Sequence, residues 1–150
     1  APLSCVTIRI SSSPSPLRSA RLRVSRLWSS ATKGWREVGT GIGSAVLVDG
    51  TLVPNTELGH LVVGRKEAEH QASSKVKEDN DWTYEKWAGK VSDVLVAYEN
   101  LFWPTLFIAG GGISRKAHKW VPLLTNRTPV VPATLRNTAG IVGAAMAVAD

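Results

Sequence analysis

Two kinds of residue in this chain are equipped for chemistry: an acid–imidazole pair on a short loop, and glycines grouped where backbone amides can meet an anion. Asn55-Thr56-Glu57-Leu58-Gly59-His60 sets a carboxylate three residues from an imidazole, with Pro54 and Gly59 fixing the loop. Such a pair suits a polyol. A carboxylate accepts hydrogen bonds from two neighbouring hydroxyls, and a neutral histidine donates to one oxygen or accepts from another, which orients a sugar. The same pattern also describes a surface acid beside a loop histidine with no ligand. Glu69, followed by His70, opens the next helical stretch and either adds a second carboxylate or is simply solvated there. His60 and His70 would offer two metal ligands, but no third stands at a recognisable spacing, so no metal site is expected.

The glycines fall in two runs. Gly39-Thr40-Gly41-Ile42-Gly43-Ser44 alternates glycines so that N–H groups can approach a phosphate, though a GxG also serves as a tight strand entry. It is not a Walker motif, because no lysine follows the final glycine. Gly110-Gly111-Gly112 follows the apolar run Thr105–Ala109 and precedes Ser114, read as the cap of a helix over 114–124. That order puts free amides at the C-terminal end of a strand, where open α/β sheets bind ligands, unless the glycines serve only a turn. Arg115, Lys116 and Lys119 either meet a polyanion from that helix or form a solvated face.

The elements that must position these groups are legible in outline. Ser44–Val48 and Thr51–Val53 flank Asp49-Gly50, a two-residue hairpin signal. Residues 66–78 lean helical. Trp82, Trp87, Val91, Val94, Leu95, Tyr98, Leu101 and Phe102 recur at three- and four-residue steps along a longer helix that Pro104 ends. Val130-Val131 reads as a short strand, and 139–149 as a helix of small residues. A hairpin plus alternating helices and strands means an α/β fold.

Composition narrows the classes. The chain has 150 residues, 43% of them hydrophobic, enough for one domain with a core. Its one cysteine, Cys5, excludes an internal disulfide and a thiolate zinc cluster, and fits a reducing, cytoplasmic compartment. No apolar run approaches the roughly 20 residues that span a bilayer. The net charge of +6 sits entirely in residues 1–38, where seven basic residues face one acid; from 39 to 150 there are eleven of each sign. Residues 1–38 also hold nine serines and show no sustained helical or strand period. They read as a disordered basic arm, a targeting peptide, or the product of a shifted reading frame upstream of the domain that begins at about residue 38.

Four stretches carry a resemblance: GTGIGSAVLVDGTLVPNTELGHLVV, EAEHQAS, LFWPTLFIAGGGISRKAHKWVPLL and RTPVVPATLRNTAGIVGAAM. Together and in this order they resemble the polyphosphate glucokinases of the ROK (repressor, open reading frame, kinase) family over about residues 38–149. The resemblance implies an actin-like, RNase H-like ATPase fold of two domains, with this chain supplying mainly the second. It implies glucose bound by Glu57, His60 and Glu69, with acceptance of mannose left open. Gly39, Thr40, Gly41 and Gly43 would line the phosphate path, and Gly110, Gly111 and Gly112 would face the nucleotide or polyphosphate. It further implies polyphosphate or ATP as phosphoryl donor, magnesium, no zinc, and a homodimer as the complete enzyme.

The departures from the family are as informative. Its phosphate-1 loop, and the Asn-Asp pair whose Asp is the general base for the 6-hydroxyl, are both expected upstream; neither precedes Gly39, and Glu37 is the only acid there. Phosphoryl transfer needs that oriented base. The chain is therefore expected to bind sugar and to be inactive alone. The competing reading is a non-catalytic sugar-binding or regulatory ROK fragment. A repressor would need an upstream helix-turn-helix, whose apolar period residues 1–38 lack. Nucleic-acid binding is disfavoured because the excess charge lies where structural signal is weakest.

Overall fold

A computed structural model describes residues 4–10, 41–49 and 51–133. Gly39, Thr40, Gly50 and the helix expected over 139–149 lie outside the described residues. A five-stranded mixed sheet is built from β1 (Ser4–Ile10), β2 (Ile42–Val48), β3 (Thr51–Val53), β6 (Leu106–Gly111) and β7 (Val130–Pro132), in the order β3-β2-β1-β6-β7. The short strands β4 (Val62–Val63) and β5 (Lys66–Glu67) pair separately. Helices α1 (Ala68–Ala72), α2 (Ser74–Asp79), α3 (Tyr84–Phe102) and α4 (Ala117–Trp120) complete the described α/β arrangement.

The hairpin forms as its sequence dictates: β2 and β3 run antiparallel with Val48 opposite Thr51, and Asp49 takes the positive φ of 48° that the turn demands. The central strand is a correction. Residues 1–38 showed no strand period, yet Ser4–Ile10 lies between β2, to which it is parallel, and β6, to which it is antiparallel. The signal was there but short. Val6, Ile8 and Ile10 alternate over one strand's length before the serine-rich stretch dilutes any wider window, and Ile8 is fully buried.

Helix α3 forms where the apolar stripe predicts. Thr83 caps it, accepting from the Lys86 N–H at 3.3 Å, and Trp103 closes it in the left-handed region before Pro104. Its Val94, Leu95 and Tyr98 pack with Ala68 and Ala72 of α1 onto Ile8, Ile42, Val46 and Phe107 of the sheet. Two positions depart from the stripe. Leu101 is exposed, whereas Glu99 is buried. Burial acts to raise the Glu99 pKa, but hydrogen bonds from the Thr128 hydroxyl and N–H, the Arg127 N–H and Asn126 outweigh it and the net direction is downward. Glu99 thereby ties the loop entering β7 to the helix, and Arg127 stacks over exposed Trp103 at 4.2 Å.

The helix expected over 114–124 is three short pieces. Residues Gly112–Lys116 and Val121–Leu123 are 3-10 turns flanking α4, with Pro122 inside the second. Ser114 does not cap an α-helix; its hydroxyl donates to the Gly111 carbonyl at 2.7 Å from within the first turn. Likewise the stretch 66–78 divides, because extended Ser73 ends α1 and its hydroxyl caps α2.

Candidate functional site

The loop that carries Glu57 and His60 is held from behind by two side chains. The Ser44 hydroxyl, on β2, accepts from the Leu58 N–H at 3.0 Å and donates to the Thr56 carbonyl at 3.3 Å. The Tyr98 hydroxyl, reaching from α3, donates to the Leu58 carbonyl at 2.8 Å, and burial pushes its pKa up. Leu58–His60 is thereby a fixed 3-10 turn. Gly59 is buried in it because a side chain there would run into the Ile42 carbonyl. Gly59→Ala is therefore expected to cost about 1–3 kcal/mol, since strand backbone cannot swing aside as a side-chain tip can. Thermal unfolding would check this against Gly89→Ala, whose added methyl meets nothing within 4 Å; equal melting temperatures would refute the clash.

Helix α1 brings the acids to this turn. The Ala68 N–H donates to the Leu61 carbonyl at 2.8 Å, which docks the helix start beside the loop. His60 Nδ1 then lies 2.9 Å from Glu67 Oε2 and 3.7 Å from Glu69 Oε1, while His70 Nε2 is 3.7 Å from Glu69 Oε1. The Glu67 hydrogen bond, followed by the fields of Glu69, Glu67 and Glu57, raises the His60 pKa. Glu67 is lowered in turn, chiefly by the same bond. His60 and Glu69 are thus brought together as the sequence suggested, and Glu57 stands exposed at the turn's start.

Sequence reasoning missed Glu67 and the way Glu69 is seated. Nothing local marks Glu67, which is seven residues from its partner; only the docking of α1 makes them neighbours. Glu69 Oε2 lies directly over Gly41, where any side chain would collide with it. A side chain at Gly41 would have to push the flexible end of Glu69 aside, which gives that glycine a use besides the approach of an anion. His60, Glu67 and Glu69 also present ligand atoms within 4.8 Å of one another. That set leaves out His70, so it does not complete the His60–His70 pair considered from the sequence. An imidazole within that set does not suit magnesium, which takes oxygen ligands.

The described glycines of both runs lie at one end of the sheet, on either side of β1. Cys5 of β1 pairs with Gly43 on one side and Gly110 on the other, and Ser4 pairs with Ile42 and Gly111. Two strand spacings separate the runs, roughly 10 Å. Gly110 and Gly111 are the last residues of β6 rather than a turn, and Gly111 alone takes a positive φ, 77°. The turn beginning at Gly112 is too short to carry the helix-terminal amides first expected there. Arg115 and Lys116 are exposed, and Lys119 lies over the Tyr84 ring at 5.8 Å. Asn80-Asp81, an Asn-Asp pair downstream of the loop, serves as a helix stop: Asp81 is exposed at φ 50° and Asn80 Nδ2 donates to the Val76 carbonyl.

No family model matches the chain. The polyphosphate glucokinase of Mycobacterium tuberculosis (strain CDC 1551 / Oshkosh) is 76% identical over 113 residues, which are 75% of this chain and 43% of that protein. Among solved structures, the inorganic polyphosphate/ATP-glucomannokinase from Arthrobacter sp. strain KM matches with a TM-score of 0.71 at 37% identity, over 98% of this chain and 47% of its own. A ROK family glucokinase from Streptomyces griseus, solved in complex with glucose and AMPPNP, matches with a TM-score of 0.54 at 16% identity, over 95% of this chain and 59% of its own, and bears on the fold alone. The α/β arrangement is accordingly the actin-like ATPase fold of these sugar kinases. Over three quarters of its residues the chain is homologous to the polyphosphate glucokinase of Mycobacterium tuberculosis, and it spans less than half the length of that relative.

Proposed function

We propose that this chain is the sugar-binding part of a glucokinase that transfers a phosphoryl group from polyphosphate or ATP to the 6-hydroxyl of glucose. The observation that carries the reading is the seating of Glu69 over Gly41, beside His60 and at the sheet end where both glycine runs lie. Carboxylates at Glu57 and Glu69 accept from vicinal hydroxyls, and His60 orients a third oxygen. The glycine runs, Gly39–Gly43 and Gly110–Gly112, line the donor's path, where the lack of side chains leaves room for a polyanion. No Asn-Asp pair precedes Gly39 to act as general base, so binding without turnover is expected of this chain. Mannose, which differs at one hydroxyl, is a second acceptor. Magnesium accompanies the phosphoryl donor. The complete enzyme is a cytoplasmic homodimer, for which Leu101 and Trp103, 57% and 72% exposed at the end of α3, offer apolar surface. No helix among the described residues is long and apolar enough to cross a membrane.

Glucose titration by calorimetry, run beside an assay for glucose 6-phosphate with polyphosphate and with ATP, tests this. Saturable binding without product supports the proposal. Turnover would place a working base within these 150 residues. Absence of any glucose binding would overturn the sugar-site reading.

A further inference from the structure

The side chain nearest His60 is not one of its expected partners in sugar binding. Glu67 Oε2 sits 2.9 Å from His60 Nδ1, and Glu67 occupies the residue before α1 without capping that helix. The position where an acid would ordinarily serve the helix start is thus turned toward the loop instead. An imidazole that donates from Nδ1 has its other nitrogen free to accept, and a carboxylate partner settles which nitrogen keeps the proton. We infer that Glu67 is a positioning residue of the sugar site, holding His60 as its Nδ1–H tautomer and leaving Nε2 as the atom that meets a sugar hydroxyl.

The inference rests on His60 being a sugar ligand, as proposed above. The neighbourhood supports it. The His60 side chain is 62% open to solvent while Nδ1 is engaged by Glu67, which leaves the imidazole accessible to a ligand. The backbone beneath it is fixed by Ser44 and Tyr98, and Glu67 is fixed because β5 leads directly into α1. The charged groups around the imidazole are Glu57 on the loop, Glu67 before α1, and Glu69 with His70 on α1. Three carboxylates against two histidines favour a protonated imidazole. In the neutral form His60 accepts at Nε2; once protonated it donates from the same atom. Because its pKa lies above the ordinary value, the exchange between these two modes falls on the alkaline side of a free histidine's.

The test is long-range proton–nitrogen correlation NMR of the full chain, read at its three histidines, with His60→Asn identifying the His60 signals. Above its titration, His60 is expected in the Nδ1–H form with a midpoint above that of an unperturbed imidazole. Glu67→Ala should convert it largely to the Nε2–H form of a free imidazole, lower the midpoint, and weaken glucose binding roughly tenfold. Glu67→Gln retains an acceptor of the same shape and should keep the tautomer while still lowering the midpoint, which separates orientation from charge even if the alanine variant folds poorly. An Nε2–H tautomer in the unsubstituted chain, or a tautomer and midpoint unchanged in both variants, overturns the inference. Should glucose fail to bind the unsubstituted chain while the tautomer responds as expected, the sugar-site reading falls and the positioning of His60 by Glu67 stands.

Discussion

Trp87→Ala is expected to lower the unfolding free energy by about 3–5 kcal/mol, a large share of the roughly 5–15 kcal/mol that holds a domain folded. The indole is 2% exposed and meets Trp120 edge-on at 5.2 Å and Tyr84 at 6.4 Å. Its Nε1–H donates to the Ala72 carbonyl at 2.9 Å, so truncation opens a cavity and also strips a buried acceptor of its partner. The position matters because of what it joins. Ala72 ends α1, the helix that carries Glu69, while Trp120 ends α4, just after Gly110–Gly112. One side chain therefore couples the helix that carries Glu69 to the segment that follows Gly110–Gly112. Urea denaturation followed by far-ultraviolet circular dichroism would measure the loss, with Trp87→Phe expected to fall between the two. A loss below about 1 kcal/mol for the alanine variant would be incompatible with this packing.

Glu69→Gln is expected to weaken glucose binding by roughly ten- to a hundredfold, the usual value of a hydrogen bond to a charged group. The amide keeps the shape that fits over Gly41, so the fold should be retained and the change confined to the ligand. Calorimetric titration at neutral pH would show it, with an unchanged melting temperature as control. Equal glucose affinity in the two proteins would remove Glu69 from the site. Gly41→Ala offers a converse check, because its methyl displaces the same carboxylate without altering charge.

The sequence by itself determined the fold class, the family and most of the parts. The Asp49-Gly50 hairpin, the α3 stripe ended by Pro104, and the pairing of Glu57 with His60 are local patterns, set by turn chemistry and helical period within a few residues. Tertiary structure decided what lies between distant segments. Ser4–Ile10 becomes the central strand because β2 and β6 flank it on both sides, a partnership no window of seven residues can announce. Glu67 meets His60, and Glu69 meets Gly41, only because α1 docks against the loop and β2. Glu99 is buried because loop amides converge on it from 27 to 29 residues away. Period and spacing record which face a residue presents. Which partner waits on that face is set by packing, and for this site packing converts an exposed acid–imidazole loop into an ordered cluster of two histidines and two carboxylates, His60, His70, Glu67 and Glu69.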